Sequence, residues 1–189
     1  MKNIVIIGAG DLGKEVVWLI EDINKIKPTY LILGFLDDTE NKQGEEFSWY
    51  KVLGGTEKLE ELSRSTPLCA VIAVKDSAGR KKIVEAHPDF HNWETIIHPN
   101  TAVAASSSIG EGSILFPYVT VSVDSKLGRF GLYYIQATVS NDCRIGDYTS
   151  LLFGATVLEH CNIGDECLLT PNTLICGDTN IDNGTRFSE

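Results

Sequence analysis

No apolar run in this chain approaches the ~20 residues needed to cross a bilayer. Its opening stretch, MKNIVIIGAG, is too short and too glycine-rich for the apolar core of a secretion signal. Both absences point to a cytoplasmic protein with no membrane insertion. Basic residues are scarce as well: 16 Lys and Arg stand against 26 Asp and Glu, for a net charge of −10. Nucleic-acid backbones and anionic membranes reward clustered cations, so neither is expected as a partner. The five cysteines (Cys69, Cys143, Cys161, Cys167, Cys176) contain no CxxC pair and no Cys/His set at zinc spacing, so no metal is expected. An odd number without a secretion signal reads as reduced thiols.

What is present divides the chain in two, at 1–94 and 95–189. Residues 3–7 (Asn-Ile-Val-Ile-Ile) form an apolar run of buried-strand type, followed at once by Gly8-Ala-Gly10-Asp-Leu-Gly13. An apolar stripe at helical spacing comes next, Val16, Ile20, Ile23 and Ile26, closed by Pro28. A second strand, 30–36, ends in Asp37-Asp38. A third, 69–74, leads into a helix through about 86. Alternating strands and helices imply a parallel sheet with covered faces, a Rossmann-like α/β unit. Its glycine turn lets a backbone approach a pyrophosphate, and the helix N-terminus offers unpaired N–H groups. Asp37 is placed to accept from a ribose hydroxyl or a base N–H. The same glycines also suit an ordinary tight strand-to-helix turn. Beyond residue 95 no α/β pattern remains from which a dehydrogenase would build its substrate domain.

From Ile97 to Phe187 an apolar residue falls at every sixth position, sixteen in succession. Two residues before each stands a small or short branched one, from Thr95 through Ser107, Cys143, Cys161 and Cys167 to Thr185. The pairs Ile109-Gly110, Leu127-Gly128, Ile145-Gly146 and Ile163-Gly164 recur every 18 residues. No α-helix survives a period of six. Three six-residue edges make a triangular coil of 18, and stacking at ~4.8 Å builds a parallel β-helix of about five coils. Cys143, Cys161 and Cys167 occupy the small inward slot and read as packing. Cys69 lies in a core strand, and Cys176 is the one placed to face outward.

A glycine-loop domain followed by six-residue coils resembles the sialic acid O-acetyltransferase / bacterial nucleotide-sugar N-acetyltransferase family. The stretches that carry the likeness are GAGDLGKEV (8–16), GFLDD (34–38), VLGGTEKL (52–59), IIHPNTAV (96–103) and ATVSNDCRIGDY (137–148). The resemblance implies a left-handed coil and a homotrimer. It implies a UDP-sugar or other small sugar substrate on the first domain, and acetyl-CoA or another acyl-CoA as co-substrate between neighbouring columns. The activity implied is acyl transfer to a sugar or nucleotide sugar in bacterial surface-glycan synthesis. Gly8, Gly10, Gly13, Asp37 and Asp38 match its nucleotide-site positions.

Family members usually read V-x-His-Asp/Glu-x-x-I-G, with the His as general base. Here Val139-Ser-Asn-Asp-Cys-Arg-Ile-Gly146 puts Asn141 at that place, followed by Asp142. An amide does not titrate near neutrality and takes no proton. A second family His, nine residues on, is Ser150 here. His160 is a weaker alternative base, aligned one coil on with Asp142. His98 reads as structural, and His87 and His91 as solvated loop residues. After Arg144 the chain carries one further base, Arg186, among seven acids, Glu189 the last of them. Three readings follow: an acyltransferase with an unusual or impaired centre, a non-catalytic nucleotide-sugar-binding relative, and a purely structural protein.

Overall fold

The computed structural model describes residues 1–187, and its internal contacts divide the chain into Met1–Glu94 and Thr95–Glu189. Each unit has its own logic. In the first, β1 (Lys2–Ile7) is an interior strand of a five-stranded sheet, with β2 (Tyr30–Leu36) and β5 (Leu68–Ile72) parallel on either side. A hairpin of β3 (Glu46–Phe47) and β4 (Tyr50–Gly54) extends the β2 edge, giving the order β3-β4-β2-β1-β5. Ile4, Val5, Ile6 and Ile7 are all buried, as a central parallel strand covered on both faces requires.

Helix α1 (Asp11–Ile26) buries Val16, Val17, Leu19 and Ile20, but Ile26 is 72% exposed and does not extend the stripe. Asn24 ends it. Its amide oxygen accepts the backbone N–H groups of Thr29 and Tyr30, turning the chain back before the last helical turn can pack. The third strand is shorter than the 69–74 expected, because Arg80 claims the chain after Ile72. The Arg80 guanidinium, 2% exposed, donates to the carbonyls of Val74 and Lys75 and bends them away from the ladder. Asp76 then caps α3 (Ser77–Ala86) through the Gly79 N–H. The hairpin and α2 (Leu59–Ser65) carry no strong periodicity, and the sequence alone did not signal them.

One histidine must be reassigned. His87 is not solvated; it ends α3 at 6% exposure, with Nδ1 2.6 Å from Glu60 Oε1 of α2. A polar ring next to Pro88 reads as a loop residue, and only the fold brings Glu60 to it. His91 is exposed as expected.

The second unit consists of two-residue strands in three parallel five-stranded sheets, the faces of a left-handed β-helix. Each strand pairs with the one 18 residues away: Thr120 with Thr138, Thr138 with Thr156, Thr156 with Leu174. The sixth-position residues from Leu115 to Ile175 are buried, whereas Ile97 and Val103 are 38% and 36% exposed in the first coil, which is stacked from one side only.

The small slot does more than save space. Ser107, Ser113, Ser125, Cys143, Thr149, Cys161 and Cys167 each donate to the carbonyl 15 residues on, at the corner of the next coil. Several of the same oxygens accept the N–H 18 residues on, as Ser125 accepts from Cys143. A slot buried on every side thus satisfies backbone groups that would otherwise be orphaned. The recurring glycines have a separate cause. A Cβ on Gly110, Gly128, Gly146 or Gly164 would lie 2.5–2.6 Å from a backbone nitrogen of the next coil. Three of those nitrogens donate to Asp147, Asp165 and Asn183 in turn, so these two acids are rungs of the column rather than solvated corners.

Every sixth residue from Gly112 to Gly184 has a positive φ, thirteen corner tips in succession, ten of them not glycine. A left-handed residue other than glycine costs of order 1 kcal/mol, and the stacking on both sides of each tip offsets it.

Gly146→Ala sets a side chain against fixed backbone and should cost about 1–3 kcal/mol, read as a lower melting temperature. Cys161→Ser keeps the donor to Cys176 O and should stay within about 1 kcal/mol. Equal losses in the two variants would refute the ladder.

Candidate functional site

The turn from β1 into α1 opens a cleft of about 290 Å3 lined by Gly8, Gly10, Asp37, Lys42 and Lys75, among others. Its glycines differ in kind. Gly8 has φ +110° and a Cβ there would lie 2.6 Å from Ala73 O; Gly13 backs onto the Gly8 carbonyl and Phe35. Both are packing glycines. Gly10 has nothing within 4 Å of a Cβ position, so its bareness leaves space in the cleft rather than in the fold. It is also the N-cap residue of α1 and lends no side-chain cap, which leaves first-turn N–H groups facing outward.

Asp37 sits at the C-terminal end of β2 with its carboxylate largely used. Oδ2 accepts from the Ala9 N–H (2.8 Å) and Lys42 Nζ (3.1 Å), and Oδ1 accepts from the Thr39 N–H (2.9 Å). Burial pushes this carboxyl up, but the hydrogen bonds from Thr39, Ala9 and Lys42 outweigh it and hold it down, at about 2. Lys42 also donates to Ala9 O at 2.9 Å, which fixes its ammonium at the mouth of the turn. Asp38 does not line the cleft; its Oδ1 accepts the Thr56 N–H at 2.7 Å and anchors the Gly54-Gly55 loop. Sequence reasoning missed Lys42, Lys75 and Arg80. Lys42 lies in a short 3₁₀ turn (Glu40–Lys42) that no periodicity marks.

In the second unit the residues at 140–142 form one corner of the column. Ser140 Oγ donates to Asn141 Oδ1 (3.2 Å), and Asn141 Nδ2 donates to Asp142 Oδ2 (2.8 Å). Asn141 is half-buried at the ridge, and its side chain points to Asp142 rather than into the core. His160 is brought to the same corner, Nδ1 3.8 Å from Asp142 Oδ2. Ser150 stands apart at 2% exposure, within a strand of another face. His98 is buried and accepts the Asn100 N–H. Burial pushes the Cys143 and Cys167 thiols up, and that of Cys69 to about 12, which keeps them protonated. Cys176 is exposed. Among the described residues no cluster of three or more His, Cys, Asp or Glu is arranged for a metal, and no helix is long and apolar enough to cross a membrane.

The family model for the PglD N-terminal domain matches residues 3–87. That match lies wholly within the first unit. A curated relative, UDP-N-acetylbacillosamine N-acetyltransferase of Bacillus subtilis (strain 168), is 31% identical over 120 residues, which cover 61% of this chain and 51% of the relative. The match thus spans about half the relative's length. Among solved structures, the acetyltransferase domain of PglB from Neisseria gonorrhoeae FA1090, in complex with acetyl coenzyme A, matches with a TM-score of 0.77 at 23% identity, over 98% of this chain and 95% of that one. A His-to-Asn variant of perosamine N-acetyltransferase from Caulobacter crescentus, in complex with CoA and GDP-perosamine, matches with a TM-score of 0.75 at 19% identity, over 98% and 93%. Both establish the fold: an α/β unit followed by a hexapeptide β-helix.

In the first unit Asp37 carries a testable signature. A carboxyl lowered from 3.8 to about 2 adds stability that is complete above the ordinary value and is lost as pH falls through about 2. Asp37→Asn should therefore lower the melting temperature at pH 6, and the gap to wild type should narrow as the pH drops from 4 to 2. A gap that is constant with pH would refute the role given to this carboxylate.

Proposed function

We propose that the protein is an acetyltransferase that moves the acetyl group of acetyl-CoA, or a similar acyl-CoA, onto a sugar carried by a nucleotide. The observation that carries this reading is the open Gly10 position flanked by Lys42 and Lys75 in a chain of net charge −10. Two ammonium groups and free helix-terminal N–H groups, beside a glycine with room for a ligand, suit the diphosphate of a UDP-linked or similar sugar. The spent hydrogen-bonding capacity of Asp37 makes it the group that holds Lys42, with one lone pair left for a ligand. Gly8, Gly13 and Asp38 shape the cleft from behind.

The relatives support the rest. One is named for N-acetyl transfer to a UDP-sugar, one domain holds acetyl coenzyme A, and one variant holds CoA with GDP-perosamine. On the column, Lys126 and Arg144 pair one coil apart on an exposed face, next to the corner at 140–142, and offer cations to the donor's phosphates. The acceptor is the amine or hydroxyl of the sugar. Asn141 takes no proton, so in this reading it is a positioning amide for Asp142. The homotrimer and the cytoplasmic location belong to the same proposal.

A second reading, a nucleotide-sugar-binding relative without transfer, is favoured by Asn141 itself. Calorimetry on the full chain separates the two. Binding of both acetyl-CoA and a UDP-linked amino sugar, with thiol release only when both are present, is expected. Sugar-nucleotide binding without acetyl-CoA binding would establish the second reading. Lys42→Ala should weaken sugar-nucleotide binding about tenfold or more. Gly10→Val should abolish that binding with only a modest drop in melting temperature, since its side chain meets open cleft and the fold loses only the preference for glycine at the N-cap. Undiminished binding in Gly10→Val would remove the cleft from the account.

A further inference from the structure

Acyl transfer to an amine needs a group to take up a proton, and the 140–142 corner supplies one that belongs to a different coil. We propose that His160 is the proton acceptor of the transfer, oriented by Asp142; this rests on the acetyltransferase reading above.

The second unit contains two histidines. His98 is 4% exposed and its Nδ1 already accepts the Asn100 N–H, so it is out of reach of a substrate. His160 is half-exposed, at 53% of its side chain, and faces a carboxylate that is 48% exposed. The register makes this pair. Asp142 and His160 are both left-handed corner tips, φ +57° and +58°, separated by 18 residues, so their side chains leave the column in the same direction one coil apart. The His160 N–H donates to Asn141 O at 3.1 Å, which ties the two tips through the backbone.

The carboxylate is itself held. Ser140 donates to Asn141 and Asn141 to Asp142 Oδ2, the oxygen that lies 3.8 Å from His160 Nδ1. That separation is an ion-pair distance, and two half-exposed side chains can close it to a hydrogen bond when a substrate excludes water. Asp142 then keeps the proton on Nδ1 and leaves Nε2 unprotonated toward solvent, the tautomer a base requires. The other charged groups around this tip are Asp178 one coil on, Glu159 beside it and Asp124 two coils back. Asp142 and the amide at 141 are positioning residues.

The chemistry balances without any further reagent. The sugar amine attacks the thioester carbonyl, a C–N bond forms and the C–S bond breaks. One proton passes from the amine nitrogen to His160 Nε2 and on to the departing thiolate, giving the amide and free CoA.

The tips show which substitutions the fold accepts. Gln136 occupies an equivalent left-handed tip at φ +63°, so His160→Gln should fold with a melting temperature close to wild type. It should lower the turnover number by about 10²–10⁴ while calorimetry gives unchanged binding of acetyl-CoA and of the nucleotide sugar. The acid limb of the wild-type pH–rate profile should vanish with it. Asp142→Asn should lower turnover less and displace that limb. Asn141→His introduced into the His160→Gln background should recover part of the rate, because it sets an imidazole beside the same Asp142 oxygen. An active wild type whose rate and acid limb survive His160→Gln would overturn the assignment and leave the acetyltransferase reading standing. A wild type that binds both substrates but releases no thiol would overturn both.

Discussion

One coil of eighteen residues laid on the next in register is the constraint from which the rest of the second unit follows. Once each strand pairs with its equivalent 18 positions on, every kind of residue stacks on its own kind. The inward hydroxyls and thiols meet corner carbonyls. Asp147, Asp165 and Asn183 meet backbone N–H groups. Glycine is forced where a Cβ would lie within 2.6 Å of the next coil's backbone. The register also creates chemistry that sequence proximity does not: residues 142 and 160 are far apart along the chain and adjacent on the corner. A shift of one residue would turn each inward side chain outward, so the column tolerates little variation where it is buried and much at its tips.

The first unit uses charge in the opposite manner. The chain as a whole is acidic, yet the mouth of its glycine turn presents Lys42 and Lys75. Asp37 makes that possible by spending its carboxylate on Ala9, Thr39 and Lys42. Arg80 does the equivalent work from the other side, holding the carbonyls of Val74 and Lys75 from a buried position. Neither residue needs to touch a ligand to decide the shape of the cleft.

The architecture was largely legible in the sequence, because a period of six has no competing explanation and because β1, β2 and the glycine turn follow one another without interruption. Less was legible where the decisive contact is tertiary. Ile26 fits a helical stripe, but the Asn24 side chain turns the chain first. His87 looks solvated until Glu60 of α2 is placed against it. Cys143, Cys161 and Cys167 are visible as small inward residues, whereas their hydrogen bonds to the next coil need the 15-residue offset that only stacking produces. At the corner, the residues at 141 and 142 follow from the repeat. The approach of His160 to Asp142 depends on tip conformations that propensity does not favour, since ten non-glycine residues adopt them under the pressure of stacking.

A crystal structure of the full chain soaked with a UDP-linked amino sugar and with acetyl-CoA tests the whole account most directly. It should show the diphosphate against the Gly8–Gly10 turn with Lys42 in hydrogen-bond contact, and the donor's thioester carbon at the 140–142 corner beside His160 Nε2. A nucleotide bound away from that turn, or a thioester remote from the corner at 140–142, would contradict it.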